Sequence, residues 1–88
     1  MSSVKEVLIG RKEIFFYVLV AEDRLLRYNE VILRARGKLI VKAIDVLEIL
    51  KRKYSVSYTI ETDSENIKIS DDKEKRISNI TITIKLVK

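Results

Sequence analysis

The stretch Glu30-Val31-Ile32-Leu33-Arg34-Ala35-Arg36-Gly37-Lys38 decides the fold. Val31, Ile32 and Leu33 form a short apolar run suited to a central strand. Gly37 supplies a turn, and the residues after it change period. Leu39, Ile40, Ala43, Ile44, Val46, Leu47, Leu50 and Tyr54 recur at helical spacing, predicting a helix from about Lys38 to Lys53. The same strand-turn-helix order occurs upstream. Glu6 to Ile9 predicts a short buried strand ending at Gly10, and a helix follows from about Lys12 to Tyr28. Ile14, Val18, Ala21 and Leu25 share one face of that helix, flanked by Phe15, Leu19 and Leu26. The chain has two glycines and no proline, and both glycines fall at these turns.

Glu22 projects near the apolar arc of the first helix. Either the helix is distorted near Glu22-Asp23, or Glu22 meets a cation at the edge of the core. Asn29 tolerates a left-handed conformation and is placed to end the helix. The apolar stripe of the second helix covers an arc of about 160°, wider than the roughly 100° that faces one core. Its surplus width predicts a subunit contact through Leu39, Ala43, Leu47, Leu50 and Tyr54, with deeper burial inside one protomer as the alternative. Beyond Tyr54, Val56, Tyr58, Ile60 and Thr62 alternate, and Ile67 and Ile69 continue with switched parity, which predicts a bulge near Asp63 to Asn66. Asp71-Asp72-Lys73-Glu74-Lys75-Arg76 contains no hydrophobe and reads as a hairpin loop. Ser78, Ile80, Ile82, Ile84 and Leu86 alternate cleanly as a last strand. The order is β-α-β-α-β-β. It predicts one α+β domain over residues 1–88, a two-layer α/β sandwich with a mixed four-stranded sheet, both helices on one face and a long terminal hairpin.

Composition limits the chemistry. The 88 residues include no Cys, which removes disulfides, thiolate nucleophiles and cysteine metal sites. They include no His, the commonest general base and metal ligand. Glu22 and Asp23 are adjacent on a helix and point about 100° apart, so they do not converge on one substrate. No carboxylate spacing suggests a metal site. The expectation is a protein that is not an enzyme, needs no cofactor and has no small-molecule substrate. No apolar run reaches the roughly 18–20 residues of a membrane span, and Met1-Ser2-Ser3-Val4 is not a signal peptide, so a cytoplasmic protein is expected. A chain free of Cys, Gln and Trp and rich in Ile, Lys and Glu leans toward a thermophile's composition.

The net charge is +5, and its distribution is more telling than its size. Between Arg34 and Lys53 lie seven basic residues against Asp45 and Glu48, while the rest of the chain carries eleven of each sign. Gly10-Arg11-Lys12 and Arg36-Gly37-Lys38 each set cations beside a predicted helix start, where free N–H groups favour a phosphate. Both turns follow the carboxyl end of a strand. A crossover arrangement would bring Arg11, Lys12, Arg34, Arg36, Lys38 and Lys42 to one edge of the sheet. Neither turn matches a nucleotide-binding loop, so a surface for backbone phosphates is expected, not a bound nucleotide. Lys73, Lys75 and Arg76 offer a second contact from the hairpin, set against Asp71, Asp72 and Glu74. No exposed aromatic cluster for stacking unpaired bases is apparent, because Phe16 and Tyr17 lie on a helix and Tyr58 packs across strands. That favours duplex or shape recognition.

The run from Glu30 to Lys38, continued by Lys42-Ala43-Ile44-Asp45 and Glu48-Ile49, resembles the central motif of the Alba family. So do Val7-Leu8-Ile9-Gly10-Arg11-Lys12 followed by Tyr17-Val18-Leu19, and Arg76-Ile77-Ser78 leading into an Ile-rich strand. The resemblance implies an archaeal chromatin protein that binds double-stranded DNA and RNA as a dimer, with little sequence preference. It implies that Arg11 and Lys12 stand at the centre of the nucleic-acid surface. Arg36 and Lys38 match the family's basic turn, and Arg34 and Lys42 flank it. Tyr54 resembles the aromatic that helps dimers associate, and Lys73, Lys75 and Arg76 the contacts of an arm toward the minor groove. Glu22-Asp23-Arg24 and the charge-neutral hairpin tip depart from the family pattern and suggest a divergent paralogue.

The expected function is therefore non-sequence-specific binding of double-stranded DNA and/or RNA by a homodimer, or a heterodimer with a paralogue, on the chromosome or on RNA. The alternative is a scaffold or ribonucleoprotein subunit whose basic face docks an acidic protein.

Overall fold

The computed structural model describes residues 4–87, and the reading of residues 1–3 lies outside them. The elements are β1 (Glu6–Leu8), α1 (Ile14–Tyr28), β2 (Glu30–Arg36), a 3₁₀ turn (Gly37–Leu39), α2 (Ile40–Lys53), β3 (Val56–Ser70) and β4 (Lys73–Leu86). The four strands form one mixed sheet in the order β1-β2-β4-β3. β1 runs parallel to β2, with Val7 opposite Leu33, and β4 lies antiparallel to both β2 and β3. The predicted element order and fold class are those observed.

Alternation along the central strands builds the core. Val31, Leu33 and Ala35 of β2 pair with Ile84, Ile82 and Ile80 of β4, and all six are buried. Against this sheet face pack Tyr17, Val18, Ala21 and Leu25 of α1 and Ala43, Val46, Leu47 and Leu50 of α2. Arg34 and Arg36, at the alternate positions of β2, project from the opposite, open face of the sheet.

Local signals explain the element ends. Asn29 adopts φ 63 at the end of α1, the left-handed conformation its short polar side chain tolerates. Gly37 adopts φ 56 between β2 and α2, where a side chain would be strained. α1 is unbroken through Glu22, so the distortion alternative falls away. Glu22 instead accepts hydrogen bonds from the Lys53 ammonium and the Tyr54 hydroxyl, each at 2.6 Å.

Several expectations are corrected. α1 begins at Ile14, two residues later than predicted, because Glu13 is still extended (ψ 152). Phe15, Leu19 and Leu26 do not flank a buried face but are exposed. They lie about 100° or more from the centre of the arc that Tyr17, Val18, Ala21 and Leu25 turn toward the sheet. The charged run 71–76 is not a loop: only Asp71 and Asp72 turn, and Lys73 to Arg76 belong to β4. The ladder continues there, with Ile67 opposite Lys75 and Lys68 opposite Glu74 in register. The irregularity sits between Lys68 and Ser70, not at Asp63 to Asn66, where the register is continuous. This hairpin gives the molecule its long axis, with extents of 52 × 24 × 22 Å.

Candidate nucleic-acid interface

Ile9 is buried, and its N–H donates to the Arg34 carbonyl at 2.8 Å, so the chain leaves β1 from a fixed point. The next three residues are then held from beneath. Tyr17, buried on α1, places its hydroxyl under them, and the Lys12 backbone N–H donates to it at 3.1 Å. A Cβ on Gly10 would stand 2.8 Å from the Tyr17 hydroxyl oxygen, so any other residue there must displace that buried side chain. From α2, the Lys42 ammonium donates to the carbonyls of Gly10 (3.0 Å) and Lys12 (2.8 Å). It lies 5.7 Å from the Tyr17 ring centre, within cation–π range. Lys42 is thus a strut between the first turn of α2 and the loop after β1, with much of its hydrogen-bonding capacity committed inside the protein.

The side chains above this platform carry no carboxylate partner among the described residues. Arg11 and Lys38 are exposed and make no hydrogen bond or ion pair among the described residues. The Lys12 ammonium lies 4.4 Å from the centre of the Phe16 ring, which meets the Tyr17 ring edge-on at 5.1 Å. Arg11 and Lys12 precede the helix instead of opening it, so they act as loop cations displayed by a rigid support. Phe16, under the Lys12 ammonium, and its sequence neighbour Phe15 are 43% and 68% exposed. The expectation of no exposed aromatic cluster for stacking bases rested on Phe16 and Tyr17 lying on a helix; of these Tyr17 is buried, while Phe16 and its neighbour Phe15 are exposed.

The structure divides the expected six-residue patch. Arg11, Lys12, Lys38 and Lys42 share the turn edge. Arg34 and Arg36 stand on the open sheet face, each with a carboxylate: Arg34 with Glu6 at 3.1 Å, and Arg36 with Glu65. In the hairpin, alternation puts Lys73 and Lys75 on one side and Arg76 on the other. Arg76 donates from Nε to the Ser64 hydroxyl at 3.1 Å.

The expected subunit contact needs more revision. Ala43, Leu47 and Leu50 are 0%, 1% and 0% exposed, so their surface is consumed within one protomer. Burial inside one protomer accounts for these three positions, which span about 60° of α2, whereas the surplus width of the stripe includes Ile44, which is exposed. Leu39 and Tyr54 are half-buried. Tyr54 is anchored by its bond to Glu22, whose carboxyl is held below the ordinary range first by the Lys53 ammonium and then by Tyr54. The helix-side positions of β3 stay open: Tyr58 and Ile60, opposite Ile84 and Ile82, are exposed, as is Ile44 of α2. Lys51 of α2 reaches over the Tyr58 ring, 5.0 Å from its centre. The sequence could have suggested this face, because β3 lies at the sheet edge and keeps apolar residues at helix-side positions.

Among the described residues no group of three or more acidic side chains could hold a metal ion, and no helix is long and apolar enough to cross a membrane.

The chain is similar to proteins of known family along most of its length. A DNA/RNA-binding protein Alba of Nanoarchaeum equitans is 35% identical over 94% of this chain and 97% of that protein. One of Nitrosopumilus maritimus is 32% identical over 90% of this chain and 87% of that protein. Among solved structures, Alba from Thermoplasma volcanium superposes with a TM-score of 0.77 at 32% identity, covering 91% of this chain and 98% of that one. The Alba family model matches residues 5–66, from before β1 into the outer half of β3. The chain belongs to the Alba family.

Proposed function

We propose that this protein binds double-stranded DNA and RNA through their backbone phosphates, without sequence preference and without catalysis. It acts as a dimer in organising the chromosome or stabilising RNA, in the cytoplasm or on the nucleoid. The observation that carries this reading is the turn edge. Arg11 and Lys12 project without internal counter-charges from a loop that Tyr17 and Lys42 hold in place, and Lys38 does so from the 3₁₀ turn that opens α2. A loop backbone fixed in advance loses little freedom when its cations meet a phosphate, and the cations release counterions from the nucleic acid. The names of the archaeal relatives, DNA/RNA-binding protein Alba, point the same way.

What supports pairing is the uncovered face formed by Ile44, Tyr58 and Ile60, which a second copy or a paralogue would cover. Such a dimer would present two turn edges and two hairpins to one polyanion, raising avidity without new contacts.

The test is a titration of random-sequence duplex DNA and structured RNA over a range of salt. Replacing Arg11 and Lys12 together by Ala should weaken binding about tenfold for every sequence. It should also flatten the log–log salt slope on duplex DNA by up to about 1.8, from about 0.9 per phosphate neutralised. Unchanged affinity in that variant would overturn the assignment to the turn edge. If the wild type binds neither nucleic acid at low salt, the nucleic-acid reading fails and an acidic protein becomes the expected partner.

A further inference from the structure

Phosphate binding leaves one feature of the turn edge without a use. Phe15 is 68% exposed on the second residue of α1, three residues after Lys12. Phe16 beside it has an internal task, since its ring carries the Lys12 ammonium and abuts Tyr17. Phe15 has no ring partner and no cation over it among the described residues. A large aromatic surface held open beside paired cations has the composition of a site for unpaired nucleotides, where a basic track holds the backbone and an aromatic face takes a base. Every base has such a face, so the arrangement is tolerant of sequence.

We propose that Phe15 is a stacking platform for an unpaired base. Arg11 and Lys12 hold the adjoining phosphates, and Phe16 positions the Lys12 ammonium. The turn edge then takes single-stranded RNA, or the unstacked bases of loops and bulges, in addition to duplex backbone. This rests on the phosphate-binding role of the same cations and names the class of nucleic acid that uses more of the surface. Charge selects this occupant over an apolar protein segment, because Phe15 stands in the first turn of α1, only four and three residues after Arg11 and Lys12. A protein docking along α1 would use Leu19 and Leu26 of the same exposed stripe at least as much.

The experiment compares wild type, Phe15→Ala, Phe15→Tyr and Leu19→Ala, with thermal melts to confirm folding. The probes are a short oligouridylate containing one 2-aminopurine and a blunt RNA duplex. Phe15→Ala should lower affinity for the single strand about tenfold and remove the 2-aminopurine quenching that reports stacking, while duplex affinity stays within about twofold. Phe15→Tyr should retain both signals, and Leu19→Ala should change neither. The proposal is overturned if Phe15→Ala leaves the single-strand affinity intact, or weakens single strand and duplex alike. It is also overturned if Leu19→Ala matches the loss seen with Phe15→Ala, which would mark the stripe as a general apolar docking surface. Wild type that binds duplex but not single strand overturns this inference and leaves the phosphate reading standing. Wild type that binds neither overturns both.

Discussion

The turn edge and the outer hairpin carry the same number of cations on opposite kinds of support. Gly10 to Lys12 and Lys38 to Lys42 hold four cations and no carboxylate, whereas residues 63–76 hold four cations and five carboxylates. The turn edge rests on a buried tyrosine and a bridging lysine, so its charges are displayed from a fixed base. The outer hairpin is exposed on both faces over most of its length, its bonds being ladder pairs and surface contacts such as Arg76 with Ser64. Cation number alone therefore does not rank two surfaces. Neighbouring carboxylates and the rigidity beneath do.

The strongest way to break this contrast is to damage the support and leave the charges alone. Gly10→Ala drives a methyl group against the Tyr17 hydroxyl, and such overpacking costs about 1–3 kcal/mol. Denaturant unfolding should show that loss, and affinity for duplex DNA should fall although no cation has been removed. Lys42→Met is the next largest. Losing the two bonds to the loop carbonyls should cost about 1–2 kcal/mol. Affinity should fall by more than the loss of one phosphate contact explains, with a change of no more than about 0.9 in the salt slope. A slope change without loss of stability would show that Lys42 is an ordinary phosphate contact and that the support is not needed.

A smaller effect tests a polar cluster away from both regions. Glu22 titrates below its ordinary value of 4.5 in the folded protein, so its contribution is complete above that pH and is lost as pH falls through the lowered value. Glu22→Gln should destabilise the protein by about 0.5–1 kcal/mol at neutral pH, with the difference from wild type fading below pH 4.5 in acid titrations of unfolding. The smallest effect is expected in the hairpin. Lys73→Ala with Lys75→Ala should change stability by less than about 0.5 kcal/mol and DNA affinity by less than about threefold, measured by unfolding and by the same binding titration. A loss as large as that from Arg11 and Lys12 would reverse the ranking of the two surfaces.

The parts of the fold legible in the sequence are those where one face is buried. Ile80, Ile82 and Ile84 alternate because the helices lie on that side, and Asn29 and Gly37 mark backbone conformations that few residues tolerate. The outer hairpin misled because a strand exposed on both faces has no hydrophobic period to read. Its pairing comes from the backbone ladder between β3 and β4. The breadth of the α2 stripe could not say which protein it served, and Ala43, Leu47 and Leu50 proved to serve their own protomer. In the site, residue type and spacing brought Arg11, Lys12 and Lys38 to attention. They could not separate a free cation from a committed one. Arg34, Arg36 and Lys42 look the same in sequence, and only their distances to Glu6, Glu65 and the loop carbonyls distinguish them.

The bridge made by Lys42 joins residues 30 and 32 positions apart in the chain. It forms only when both strand-helix crossovers have closed against each other, so the loop in its displayed form signals that the protein is complete. A half-folded chain carries the same lysines and arginines but offers them on a slack segment. Any polyanion that prefers the finished loop therefore acts as a folding ligand. At a hundred times its dissociation constant it adds about 2.7 kcal/mol to the protein's resistance to unfolding. Nucleic acid in such a system is a guardian of its own binder.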